Sequence, residues 1–165
     1  MAFNQTPGAI RFRVTTGPEW KRTEQALRRI DANAADDFRH RLRSGAEELA
    51  DETRKAVLSI PVTGTKHTGL RGRVAKGVGV KITSAGVQIS ASMNQQDERN
   101  LPAYLDARDG WRHPVFGNKS VWVRQTTGGS WFNEVIQDGQ PELERRLTEV
   151  WEDAARFIAE AGFGR

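Results

Sequence analysis

Apolar residues recur at steps of three and four between residues 34 and 60: Phe38, Leu42, Ala46 and Leu49, then Ala56 or Val57, and Ile60, with Thr53 filling the gap. The residues between them (Arg39, Arg41, Arg43, Glu47, Glu48, Asp51, Glu52 and Arg54) make a charged outer face with i,i+4 pairs. Together they predict a helix over 34–58, and Pro61 ends it, because the residue before a proline is held out of the α region. A second stripe of Leu143, Leu147, Val150, Trp151, Ala154, Phe157 and Ile158 predicts a helix over 141–161. Pro141 stands as its first residue and Gly162 as its stop. Amphipathic helices draw most of their stability from tertiary packing. Both stripes therefore need a common apolar partner.

Period-two segments supply that partner. Residues 9–14 (AIRFRV) alternate apolar with basic, and 78–82 (VGVKI) and 87–91 (VQISA) alternate around a turn at 83–86, which reads as a hairpin. Residues 121–125 (VWVRQ) read as a further strand. A shorter helix begins after Pro18 with Leu27 and Ile30 on its apolar side, and 70–75 can form one helical turn or two. The order strand, helix, helix, hairpin, loop, strand, helix is an α+β pattern. The expected architecture is a small antiparallel sheet with strands 78–82, 87–91 and 121–125, packed against a long central helix and a C-terminal helix. A chain of 165 residues has the length of one domain, here 9–162, after a polar segment 1–8 expected to be flexible. Two extended loops interrupt it, at about 62–72 and 93–119. The second is rich in Gly and Pro around Tyr104, Trp111 and Phe116, and long aperiodic loops in small domains are often interaction elements.

Composition narrows the function classes. There is no cysteine, which excludes disulfide frameworks, thiolate zinc sites and cysteine nucleophiles. No run of 18 apolar residues marks a membrane span, and the first residues carry no apolar signal region, so the chain is expected to be made and kept soluble in a cytoplasm. The net charge of +4 is unevenly spread: residues 54–96 hold seven Lys or Arg and no Asp or Glu. Such a stretch can face phosphate, with Arg71, Arg73, Lys76 and Lys81 as candidate contacts, or it can be a solvated face balanced by an acidic neighbouring subunit.

Catalytic patterns are weak. His40, His67 and His113 lie on different elements. Asp106 and Asp109 flank Arg108, a pattern that suits a capped turn or arginine pairing better than acid–base work. Gly64 and Gly69 have the glycine spacing of a phosphate loop, but Leu70 and Arg71 stand where Lys and Ser/Thr are needed. Ser59, Ser90 and Ser130 lack a nucleophile elbow. No catalytic residue, metal ligand or cofactor is assigned. Trp111, Trp122 and Trp131 with Tyr104 and Phe116 remain, either as core beneath a long loop or as anchors of a subunit interface.

Several pieces in order resemble the head-to-tail joining, or neck, proteins of long-tailed bacteriophages. They are SIPVTG at 59–64, TGLR at 68–71, the hairpin 78–91, LPAYL at 101–105, GWRHPVFG at 110–117 and the helix 141–161. No residue separates Gly69 from Leu70, where the family places one. The resemblance covers about residues 22–160. It implies a non-enzymatic virion protein, assembled in the host cytoplasm and acting at the neck as a tail-completion or tail-terminator ring. The ring would be a hexamer or dodecamer in contact with head-closure or adaptor and tail-tube or terminator proteins, without a membrane. Tyr104, Trp111 and Phe116 are then expected as apolar anchors of the subunit interface, with Arg108 and Arg112 at its rim. The acid-free stretch would line a lumen through which DNA passes. A basic nucleic-acid-binding module and a small metal-dependent hydrolase using Asp106, Asp109 and His113 are the rival classes.

Overall fold

The computed structural model describes residues 9–15, 19–61, 69–83, 86–94, 99–115 and 118–163. Strand β1 (Ala9–Thr15) is followed by helices α1 (Glu19–Ile30), α2 (Ala32–Ser59) and α3 (Leu70–Lys76). Strands β2 (Val78–Thr83) and β3 (Gly86–Ser92), helix α4 (Leu101–Asp106), strands β4 (Trp111–Val115) and β5 (Asn118–Gln125) and helix α5 (Asn133–Phe163) complete the order. The chain is α+β, with small antiparallel sheets against long helices.

The main sheet has the order β1-β3-β2, all antiparallel. Its register sets apolar residues in rows across the three strands: Ile10–Ala91–Val78, Phe12–Ile89–Val80 and Val14–Val87–Ile82. The side-chain period of two puts all nine on one face, and that face meets α2, which also packs on α1, α3 and α5. Asp31 caps α2 by accepting the Asn33 N–H at 2.8 Å. Phe38, Leu42, Ala46, Leu49, Ala50, Thr53 and Val57 are its buried stripe. Thr53, the polar residue in that stripe, is completely buried, and its hydroxyl donates to the Leu49 carbonyl at 2.7 Å. Burying it therefore leaves no orphaned donor.

Four expectations change. Strand 121–125 does not join the main sheet: it pairs with β4 in a separate two-stranded ribbon. The C-terminal helix starts at Asn133, and Pro141 lies inside it. A proline there removes one helical hydrogen bond, and the helical turns upstream of it are supported by a remote acceptor, Asp106. On α1 the buried residues are Trp20, Thr23 and Leu27, whereas Ile30 is exposed. The segment 93–119 is no structureless loop, since it holds α4 and β4.

Candidate functional site

Helix α4 is only six residues long, with Pro102 in its first turn, and it delivers Asp106 to the start of α5. The Asp106 carboxylate is buried and accepts from the Ser130 hydroxyl at 2.7 Å, the Phe132 N–H at 2.6 Å and the Asn133 N–H at 3.2 Å; the Asn133 side-chain amide donates to its other oxygen. A remote aspartate thus satisfies first-turn donors of α5 that a local cap would otherwise meet. Burial pushes the Asp106 carboxyl above the ordinary carboxylate range, against the lowering effect of these donors. The Thr127 hydroxyl donates to the Leu105 carbonyl at 2.9 Å, and Arg108 pairs with Glu134 at 2.9 Å. The two chain segments at 105–108 and 127–134 are clasped together.

Out of this clasp rises the β4–β5 ribbon. Gly110 stands at its root with φ +72°, and a Cβ there would collide with the Gln125 carbonyl, so the root needs glycine. Trp111 is half-buried and stacks on Tyr104, ring centroids 6.1 Å apart and planes 9° from parallel. Beyond the root the ribbon is bare: all eight residues of β5 are exposed, including Val121 at 49%, Trp122 at 48% and Val123 at 39%. Apolar side chains exposed in a contiguous run mark interaction surfaces. One face of the ribbon carries Arg112, Arg124, Pro114 and Trp122, with Arg112 directly opposite Arg124. Arg124 donates to the Asp109 carbonyl at 2.8 Å, and Trp122 Nε1 donates to the Lys119 carbonyl at 2.8 Å. From Gly110 to Asn133 there are three Lys or Arg and no carboxylate, so the like charges of Arg112 and Arg124 have no acidic neighbour in the ribbon.

The expected interface residues therefore divide. Tyr104 and Trp111 form the aromatic root, Arg108 belongs to the clasp and Arg112 is exposed on the ribbon. Phe116 lies outside the described residues. Trp131 is core, packed edge-on to Phe132. Val121 and Trp122, exposed on the arm, were legible only as a strand, because an apolar strand pattern does not say whether that strand is covered.

The candidate phosphate contacts divide as well. Arg71 donates to the Leu58 carbonyl at 3.1 Å and to the Ile60 carbonyl, which places its charge at the C-terminus of α2 as a structural cap. Arg73 and Lys76 are exposed on α3. Lys81 lies on the outer face of the main sheet, in one row with Gln88 and Arg13 and next to the row of Arg11, Ser90 and Gly79. That face carries three cations and no carboxylate. The sequence reading missed Arg11 and Arg13 there, although the alternation of 9–14 pointed both to one side.

The hydrolase constellation does not assemble. Asp106 is enclosed by its donors, and His113 contacts the Pro114 carbonyl at 3.2 Å and Gln125 Oε1 at 3.1 Å. Among the described residues no three His, Asp or Glu are grouped to hold a metal, and no helix is long and apolar enough to cross a membrane. His67 lies outside the described residues. The chain matches no protein-family model, no curated protein and no solved structure.

Proposed function

We propose that this chain is a non-enzymatic structural subunit of a long-tailed phage particle, working as a ring at the head-to-tail junction. The observation that carries the reading is the β4–β5 ribbon: a firmly rooted arm whose outer strand exposes Val121, Trp122 and Val123. Two-stranded ribbons are marginal in water and their open edges invite pairing. An arm of this kind gains most when a neighbour covers it, and subunits joined by arm-to-body contacts close into rings when the rotation allows. The order of sequence pieces shared with neck proteins supplies the setting. The outer sheet face with Arg11, Arg13 and Lys81 suits sequence-blind contact with passing DNA, since its strands carry three cations and no carboxylate.

The test is the particle and the purified chain together. Phage lacking the chain should accumulate DNA-filled heads and separate tails, and the pure protein should form rings with a central opening in electron micrographs. Joined particles in its absence would refute the role. The second reading, a nucleic-acid-binding module, is favoured by the same basic sheet face. It predicts a monomer that binds duplex DNA with a steep salt dependence, weakened by Lys81→Ala together with Arg11→Ala.

A further inference from the structure

A groove of about 340 Å³ opens where α1, α2 and α5 meet. Trp20, Phe38, Leu42, Leu147 and Trp151 make its walls, and Glu19 and Glu144 stand in its lining. Neither glutamate forms an ion pair with a described residue; the Glu144 carboxylate accepts from the Gln140 side-chain amide at 2.8 Å. The helix that forms one wall is acidic as a whole, since α5 holds eight Asp or Glu against three Lys or Arg. Trp151, 40% exposed, leaves an aromatic surface beside the opening.

The arm is the converse of this groove. It offers the exposed Trp122 on the face that carries Arg112 and Arg124, with Val121 and Val123 exposed on the opposite face, and among the described residues its cations Arg112, Lys119 and Arg124 have no carboxylate partner. An apolar hollow with an acidic lining and an apolar knob with a basic rim are complementary in both hydrophobicity and charge. They also sit apart on the chain. The arm is rooted at the start of α5, while the groove begins at Glu144, eleven residues further along and so about 16 Å away along the helix. A knob and a hole at two different places on one subunit make a heterologous contact, the kind that generates rings.

We propose that the β4–β5 arm of one copy seats Trp122 in the α1–α2–α5 groove of the next copy, with Arg112, Lys119 and Arg124 facing Glu19 and Glu144. This names the partner of the arm and rests on the ring reading above.

The absence of cysteine makes the contact directly testable. Val123→Cys and Thr148→Cys, one on the arm and one in the groove lining, are prepared separately and mixed, then treated with a short bis-maleimide. Cross-linked dimers should form in the mixture and in neither variant alone, and a chain carrying both cysteines should give a ladder ending at the ring order. Trp122→Ala should weaken self-association by about thirtyfold or more, as loss of a central interface aromatic does. Glu144→Lys should weaken it too, and Arg112→Glu should restore part of the loss. Rings that persist with Trp122→Ala and give no cross-link overturn this seating while leaving the ring reading intact. A chain that stays monomeric at every concentration overturns both. So does a monomer whose DNA binding is lost with Trp122→Ala, since the arm then serves nucleic acid.

Discussion

The β2–β3 and β4–β5 hairpins are both antiparallel, and they meet opposite fates. In β2–β3 the apolar row Val78, Val80 and Ile82 faces Val87, Ile89 and Ala91, and β1 and α2 complete the cover. In β4–β5 every residue of the outer strand is exposed, and the ribbon is tied down at its root, by the clasp around Asp106, the Arg124 bond to the Asp109 carbonyl and the Tyr104–Trp111 stack. The first hairpin is held by what it buries, the second by where it is rooted. Burial of apolar surface is the main stabilising term in a domain, so the two regions should answer differently to the same kind of substitution. One holds the monomer together and the other stays exposed.

The largest effect belongs to the body. Leu49 on α2 and Leu147 on α5 are both buried, as their stripes required. Replacing either with Ala should cost about 2–5 kcal/mol in denaturant unfolding. A loss below about 1 kcal/mol would erase the contrast, because the body would then be no better packed than the arm.

The clasp comes next. Asp106→Ala leaves the Ser130 hydroxyl and the Phe132 and Asn133 N–H groups without their acceptor and should destabilise by about 1–3 kcal/mol. Hydrogen exchange should rise in the first turn of α5 and across the ribbon, and stay low in β3. The same carboxylate carries a pH signature. Its folded pKa is raised by burial, so the native state holds a proton that the unfolded chain has released. The contribution of Asp106 to stability should therefore fall as pH rises from the ordinary carboxylate range, about 4, through the raised value, read as the difference between wild type and Asp106→Asn, because Glu142 and Asp153, held low by arginines, add stability over the same range. A difference that climbs across this window would show that the hydrogen-bond donors outweigh burial.

A smaller effect is expected at the root. Trp111→Ala removes the stack on Tyr104 and should cost about 0.5–1.5 kcal/mol beyond the area it buries. The body should keep its fold and the arm should lose its set, seen as faster exchange in β5 than in β2. Global unfolding would instead make Trp111 part of the core.

Most of the body was legible in the sequence. The period of 3.6 in 34–60 and of two in 9–14, 78–82 and 87–91 reports burial directly, since those residues are apolar because they are covered. The arm was not legible for the converse reason. Residues 121–125 read as a strand of the main sheet, yet among the described residues nothing covers them, so the sequence assigned them to the wrong sheet. β4 was hidden because WRHPV contains Pro114 and has no clear period. The start of α5 was hidden because its acceptor, Asp106, comes from 26 residues before Phe132, beyond any local capping pattern. Arg71 looked like a phosphate contact because charge is visible in a sequence and the carbonyls it caps are not.

The contrast between a self-sufficient body and an arm made for a neighbour is most directly tested with Trp122→Ala, whose side chain is 48% exposed. Unfolding is measured at a dilution where both chains are monomeric, and sedimentation velocity at ring-forming concentration. The account predicts a stability within about 0.5 kcal/mol of wild type, as for an exposed site, together with loss of the large ring species in favour of monomer. An unfolded variant, or a fully folded one that sediments as the wild-type assembly, would contradict it.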